Sequence, residues 1–420
     1  MKALFVCVDR YPYDGACTSL LKKMFFEGGL STTENEIHIA TYQYHFSDLE
    51  METIDSVKIH RFLSARYLSI SELIKNRKRL DFLISGIIIK VKRKVAFRFH
   101  DGISLDGGQI KEFGRDLKKL CKSEHFDVIV GVAGCYEITF AAQKVSKALH
   151  IPFILYQVDP YAENIMLSQK EMPQRLRMET ELYRSSAKVF TTEIIRNRME
   201  ELIGKENLNN VEVMEFPGVS IEPRPNKNSL ACSESNKIIC VFTGRVYKGV
   251  RNPLFTMKLF CKLPEQFHLK LYGVSKEELK EICPNLEITN NIECCGLVSV
   301  EEAEHAIHNA DILVNIGNIM INQVPSKLFS YISTGKPILN VCANKECPSK
   351  RYLKSYPCAL SIDEKQDCSK ELTEKVAEFL KKNAGKTCDL RRIAILYEKC
   401  TPIYAAKQMK DAFIYVSKER

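Results

Sequence analysis

Two stretches in the second half of the 420-residue chain place cations beside glycine and proline turns, a composition suited to binding an anion. The first runs Val241-Phe242-Thr243-Gly244-Arg245-Val246-Tyr247-Lys248-Gly249 and reads as a strand ending in a glycine turn with two cations behind it. The second, 311–339, reads as strand, loop, helix and strand. Pro325 suits the first turn of that helix, where its missing N–H costs nothing. Ser326 and Lys327 follow at a terminus with free backbone donors and the positive end of the dipole, a seat for a diphosphate. Gly335 is expected to close the helix in a left-handed conformation, with Lys336-Pro337 starting the next strand. No Asp-x-Asp loop follows a strand, so protein cations rather than a metal are expected to balance the anion. His305 and His308, three apart on a helical pattern, could meet a metal, although exposed histidines at that spacing are far more often incidental, and Cys342, Cys347, Cys358 and Cys368 are spaced too widely for a standard zinc site.

Such turns need strands ahead of them and helices behind. In the first half, strands are expected at 4–8, 36–41, 57–62, 126–130, 153–157 and 188–191, separated by helical patterns such as 138–149. The run 4–8 is apolar without alternation, as in a strand buried on both faces of a parallel sheet. Tyr11-Pro12-Tyr13-Asp14-Gly15 is turn chemistry, and Thr18 or Ser19 is placed to cap a helix carrying Leu20, Leu21, Met24 and Phe25. Proline and asparagine then crowd 216–237, as at a domain boundary. Beyond it, strands are expected at 238–242, 269–271, 312–315 and 337–341, with helices at 253–261, 276–281, 300–309 and 326–333. The class is therefore α/β: two doubly wound sheets in tandem, with ligands at the carboxyl ends of their strands and a cleft between domains. The last helical pattern, 391–416, is long enough to leave the second domain and pack on the first.

A hydrophobic share of 45% and a charged share of 27% exclude a disordered chain, and the length favours two domains over one core. Sixteen cysteines are scattered, several inside apolar runs (Cys7, Cys121, Cys240), as reduced thiols are. The opening apolar run is too short for a signal peptide and no stretch approaches the roughly twenty apolar residues that span a bilayer, so a cytoplasmic protein is expected. The net charge is +9, and ten cations against two acids fall within 66–98. There they mix with Leu73, Ile74, Leu80, Phe82, Leu83, Ile87, Ile88 and Ile89. Two readings stand: a helix lying on an anionic membrane surface, which would make the protein peripheral to the inner face of the cell membrane, or a solvated helix face. No aromatic platform accompanies the charge, so no nucleic-acid partner is expected.

The segment Asn322-Gln323-Val324-Pro325-Ser326-Lys327-Leu328-Phe329-Ser330-Tyr331, followed by Gly335-Lys336-Pro337, resembles the donor-binding signature of family-4-like GT-B glycosyltransferases. That resemblance, strong over 238–341 and looser before 216, implies a GT-B architecture of two Rossmann-like domains. They would be an acceptor-side domain over 1–216 completed by a helix at about 400–420, a linker over 217–237, and a nucleotide-sugar-binding domain over 238–399. It implies a hexosyltransferase-type enzyme with a nucleotide-diphosphate sugar, by analogy UDP, as co-substrate and no other cofactor or metal. Retention of configuration, a lipid-linked or glycan acceptor and surface-polysaccharide assembly follow by the same analogy. Arg245 and Lys248 would neutralise the leaving diphosphate, with Arg251 as a substitute because the loop is shorter than usual. Gly244, Gly273, Leu297 (in Cys294-Cys295-Gly296-Leu297-Val298), Gln323, Ser326 and Lys327 fall at donor-binding positions. Asn322 and Ser330 stand where the family has two glutamates, on the donor sugar and the ribose. A serine can still bond a ribose hydroxyl, without a carboxylate's charge assistance. In the first domain, Gly15 matches a glycine turn near donor phosphate or acceptor, and Asp159 matches an acid that positions the acceptor, with a solvent-facing helix cap as its alternative. Asn322 and Ser330 motivate a rival from another class, a catalytically impaired relative that binds a nucleotide sugar, a glycan or a partner enzyme. A GT-B-fold epimerase would need acidic and histidine-rich cleft loops, which this sequence does not show.

Overall fold

In the computed structural model, described for residues 1–13, 15–75, 83–91, 104–220, 237–246 and 249–418, the chain divides into two compact units. One comprises Met1–Pro217 with Pro402–Arg420, the other Gly218–Thr401.

The strands of the first unit are β1 (Lys2–Val6), β2 (Glu36–Tyr42), β3 (Met51–Ile54), β4 (Val57–Phe62), β5 (Val128–Val132), β6 (Phe153–Gln157), β7 (Lys188–Thr191) and β8 (Val211–Val213). They form one sheet in the order β3-β4-β2-β1-β5-β6-β7-β8. β1 shows why its sequence does not alternate. Ala3 and Phe5 pack into the core on one face of the sheet, Leu4 and Val6 into the core on the other. The first of these cores is completed by the last helix, Pro402–Lys418, which contributes Ala405, Ala406, Met409 and Phe413. Phe413 meets Phe5 edge-on at 6.4 Å, and burying a side chain of that size contributes about 1.5–3 kcal/mol.

Two expectations need correction. The sheet is not wholly parallel, because β3 pairs antiparallel with β4 through a turn in which Asp55 and Ser56 have φ of 49° and 67°. Positive φ at both central residues is the two-residue hairpin geometry. The helix expected over 391–416 is two helices, Leu390–Leu396 and Pro402–Lys418. Pro402 lacks the amide that would continue a helix into it, and the division between units falls at that break.

The second unit carries β9 (Ile238–Thr243), β10 (Phe267–Tyr272), β11 (Ile292–Gly296), β12 (Ile312–Ile316), β13 (Ile338–Cys342) and β14 (Ala359–Asp363) in the order β11-β10-β9-β12-β13-β14. Every pair is parallel. Three of its helices start where side chains satisfy their free amides: Ser275 with Glu278 and Ser299 with Glu302 form reciprocal capping boxes, and Ser369 caps Lys370–Asn383.

Candidate functional site

The strand order of the second unit places its topological switch between β9 and β12, because the chain runs outward from β9 to β11 and returns on the other side of β9. Ligands bind at such a point, outside the carboxyl ends of the strands. β9 and β12 pair only through Ile312 with Cys240 and Leu313 with Val241, so pairing stops short of their carboxyl ends. Tyr331 reaches the end of β9, its hydroxyl oxygen accepting from the Thr243 amide at 2.8 Å.

A bare glycine rim lines the strand ends. Gly244, Gly273 and Gly296 follow or end β9, β10 and β11 with φ of 152°, 88° and 76°. The Gly244 amide donates to Tyr272 O at 2.9 Å and the Gly273 amide to Gly296 O at 2.8 Å. A Cβ on Gly273 would stand 2.7 Å from Gly244 O, so this close approach excludes any side chain there. Leu297, just beyond the rim, is exposed.

The cation built into this rim is Arg251. Its Nε donates to Asn318 Oδ1 at 2.9 Å and its Nη1 to Arg245 O at 3.2 Å. Asn318 Nδ2 in turn donates to Gln323 Oε1 at 3.1 Å. One network thus joins the turn after β9, the loop after β12 and the motif leading into the helix Lys327–Ser333. Arg245 itself lies exposed, its guanidinium 3.9 Å from Glu278 Oε1. Lys248 lies outside the described residues.

The helix begins at Lys327 with Ser326 as its cap residue, so Pro325 precedes the helix rather than filling its first turn. Pro325 O and Ser326 O accept from the Leu328 and Phe329 amides in tight three-residue turns, at 3.0 and 3.2 Å. The helix thus starts one residue later than the 326–333 expected from the sequence. Gly335 takes φ of 71°, the left-handed cap read from the sequence. Lys327 is half-buried, and burial lowers its pKa against the opposing pull of Glu304. Asn322 is buried, while Ser330 is half-buried one turn beyond Ser326, on the same face.

In the first unit, Asp159 follows β6 in a bend, and no helix starts there, so the helix-cap alternative for it falls away. Its carbonyl accepts from Tyr136 OH at 2.7 Å and from Gln157 Nε2 at 3.0 Å. Behind it, the buried Glu179 carboxylate accepts from Gln157 Nε2 at 2.5 Å and from the Ala162 amide at 2.9 Å. Burial raises the Glu179 pKa, partly offset by these hydrogen bonds. Gly15, with φ of 116°, precedes the helix Ala16–Lys22, so Thr18 and Ser19 lie inside it rather than capping it. The Thr18 amide donates to Asp9 Oδ2 at 2.9 Å. A Cβ on Gly15 would fall 2.0 Å from that same oxygen. The chain's own carboxylate therefore occupies this helix start, where the sequence resemblance suggested a donor phosphate or an acceptor.

Asp9, Glu179 and Asn318 were not singled out in the sequence. Glu179 and Asn318 act through partners 22 and 67 residues away, Gln157 and Arg251, while Asp9, nine residues from Thr18, carries a local signal in its position after a buried strand. Among the described residues no group of three or more His, Cys, Asp or Glu is arranged to hold a metal ion.

No protein-family model and no curated protein matches the chain. Solved structures do. A sucrose-phosphate synthase from Thermosynechococcus elongatus superposes with a TM-score of 0.69 at 11% identity, covering 100% of both chains. HepE from Anabaena in complex with UDP-glucose gives 0.64 at 12%, covering 99% of this chain and 100% of that one. A candidate UDP-N-acetylglucosamine 2-epimerase from Listeria monocytogenes gives 0.52 at 12%, covering 100% and 96%. One fold thus carries more than one sugar-nucleotide chemistry, and activity has to be argued from the site. What these likenesses and the two sheets, one wholly parallel and one parallel but for its β3 edge, establish is the architecture: the chain has the two-domain GT-B fold, with one Rossmann-like sheet in each unit.

Proposed function

We propose that the chain is a glycosyltransferase of hexosyltransferase type that moves a sugar from a UDP-sugar to a lipid-linked or glycan acceptor, without a metal and with retention of configuration. The observation that carries this reading is Arg251, locked by Asn318 against the Gly244 turn at the switch point of the second unit. Breaking the anomeric bond develops negative charge on the departing diphosphate. Cations already fixed in place stabilise that charge without reorganising as it forms. Arg251 and Lys327 take this role, with Arg245, and the amides at the start of the helix Lys327–Ser333 receive phosphate oxygens; Lys248, which the sequence motif also assigns to it, lies outside the described residues. The glycine rim leaves room for the nucleotide, and Ser330 faces the ribose. Asp159, held by the Gln157–Glu179 network, positions the acceptor.

Nucleoside diphosphate release against a panel of nucleotide sugars, with and without lipid extract, tests this reading. Turnover of at least one donor is expected. If no donor raises the melting temperature and none is turned over, the reading fails. Asn322 and Ser330, at the two positions where glutamates were expected, favour a second reading in which the chain binds a nucleotide sugar without transferring it; donor binding with no release identifies that case. An epimerised sugar nucleotide in place of released diphosphate would identify an epimerase.

A peripheral, cytoplasmic placement on an anionic membrane belongs to the same proposal. The helix at 83–91 exposes Ile84, Ile87, Ile88 and Val91, spaced so that they form one stripe. In sequence the stripe is bracketed by the cation clusters at 77–79 and 92–94, and each cation near anionic lipid adds about 1 kcal/mol. Among the described residues no helix is long and apolar enough to cross a membrane. Flotation with phosphatidylglycerol vesicles is expected, and neutralising Arg77, Lys78, Arg79, Lys92, Arg93 and Lys94 is expected to abolish it. Flotation that survives those changes contradicts the placement.

A further inference from the structure

After β8 the chain runs through 214–220 without regular secondary structure, yet Pro217, Gly218 and Val219 are buried. Pro217 ends the first unit and Gly218 begins the second, which the chain leaves again after Thr401. Buried backbone groups outside helices and sheets still need hydrogen-bond partners. The Val219 amide donates to Cys400 O at 3.0 Å, so the entry and exit segments of the second unit are tied to each other. The Ser220 amide donates to Ser333 Oγ at 3.0 Å, and that hydroxyl lies 3.2 Å from Gly218 O. Ser333 is the last residue of the helix Lys327–Ser333. Its single proton has two acceptors, Gly218 O outside the helix and Phe329 O one turn back within it, at 2.9 Å. The helix end does not need this hydroxyl. The Thr334 amide and hydroxyl both donate to Tyr331 O, at 3.1 and 2.7 Å, and the Gly335 amide donates to Ile332 O at 3.1 Å. Two residues before Ser333, the Tyr331 hydroxyl accepts from the Thr243 amide at 2.8 Å and lies 3.0 Å from Thr243 Oγ1. Thr243 stands just ahead of the Gly244 turn against which Arg251 is held. One short helix therefore grips the glycine rim with one side chain and the entry segment with another.

We propose that Ser333 is a positioning residue linking the rim of the donor site to the entry segment Gly218–Ser220, so that an occupied donor site slows the opening of that segment. The effect of a donor rests on the function proposed above; the link itself does not. Seven helical residues span only about 10 Å and move as one piece. Freeing the Ser220 amide requires the Ser333 oxygen to part from it, and that oxygen moves with Tyr331. A ligand that immobilises the Gly244 turn immobilises Thr243 beside it, and through Tyr331 the whole helix. Coupling of this kind acts through lost motion and needs no change of shape.

Hydrogen exchange on the full-length protein, read by mass spectrometry in peptides covering 218–220 and 242–245, tests the link first without ligand. Tyr331→Phe deletes the bond from the Thr243 amide and is expected to speed exchange at 218–220 by about two- to twelvefold, the range of one hydrogen bond. In a Ser333→Ala background the same change is expected to add less than about 1.5-fold. Ser333→Thr, which keeps the hydroxyl, and Thr334→Val, which removes a different hydroxyl from the same helix end, are expected to retain the full effect. Saturating UDP is then expected to slow exchange at 242–245 in every variant, and to slow it at 218–220 by at least about twofold in all but Ser333→Ala. A Tyr331→Phe effect at 218–220 that is absent, or equal with and without the Ser333 hydroxyl, overturns the link. UDP that protects 242–245 but leaves 218–220 unchanged, or protects 218–220 equally in Ser333→Ala, overturns the transmission of occupancy. Failure of UDP to bind would instead count against the proposed function, and the ligand-free comparison would still decide the link.

Discussion

Replacing Arg251 by alanine separates the cation the structure builds into the site from the one the motif nominates. The Arg251 guanidinium donates to Asn318 Oδ1 and to Arg245 O, which fixes the charge against the Gly244 turn. A hydrogen bond to a charged partner contributes about 1.5–3 kcal/mol, so Arg251→Ala is expected to weaken UDP by roughly 10- to 150-fold. Arg245 is exposed and shared with Glu278. Exposed pairs contribute about 0–1 kcal/mol, so Arg245→Ala is expected to cost fivefold or less, on the order of 1 kcal/mol. Asn318→Ala, which frees Arg251 without removing it, should fall between them. Titration calorimetry with UDP and with uridine reads the difference, because uridine has no phosphate and its affinity should not follow Arg251. The reasoning is refuted if Arg245→Ala costs more than Arg251→Ala, or if Arg251→Ala weakens uridine as much as UDP.

Ser330→Glu restores a carboxylate for the ribose; a charge-assisted bond replaces a neutral one, and UDP affinity should rise by about 1 kcal/mol, or fivefold, whereas weaker binding by calorimetry would remove Ser330 from the ribose. Gly273→Ala places a Cβ 2.7 Å from Gly244 O at φ of 88°, and should destabilise by about 2 kcal/mol or more in urea unfolding, against about 1 kcal/mol for Gly296→Ala, where nothing lies within 4 Å. His60 is buried against His38, its ring nitrogen 2.8 Å away, and desolvation lowers its pKa from 6.5 to about 4. The neutral ring is the one the fold accommodates, so this stability is present above pH 6.5 and is lost as pH falls from there through about 4. The loss totals about 3 kcal/mol; His60→Gln should flatten urea midpoints measured between pH 7 and pH 4.5, and an unchanged slope would contradict the assignment.

The fold was legible where strands are buried on both faces and helices are capped by local residues. Leu4 and Val6 announce a central strand because neither face admits a polar side chain, and Gly335 announces a helix end because a left-handed residue is needed there. The β3–β4 hairpin was not legible, since Asp55-Ser56 lacks the glycine that usually marks such a turn. The start of the helix at Lys327 was misplaced because proline tolerates both the first turn and the residues before it. In the site, the motif located the switch-point loop and offered Arg251 as a substitute cation, but did not reveal the Asn318 that holds it. Arg251 and Asn318 are 67 residues apart, and no periodicity connects them. Asp9 shows itself in the sequence only by its place after a buried strand, which does not reveal that it fills the start of the helix after Gly15.

The central claim is that a nucleoside diphosphate sits at the switch point of the second unit. A crystal structure with UDP bound tests it directly. Phosphate oxygens are expected within hydrogen-bond reach of Arg251 and of the amides at Ser326–Lys327, with the ribose toward Ser330. A diphosphate bound elsewhere, or phosphates held by Arg245 with none on Arg251, would contradict it.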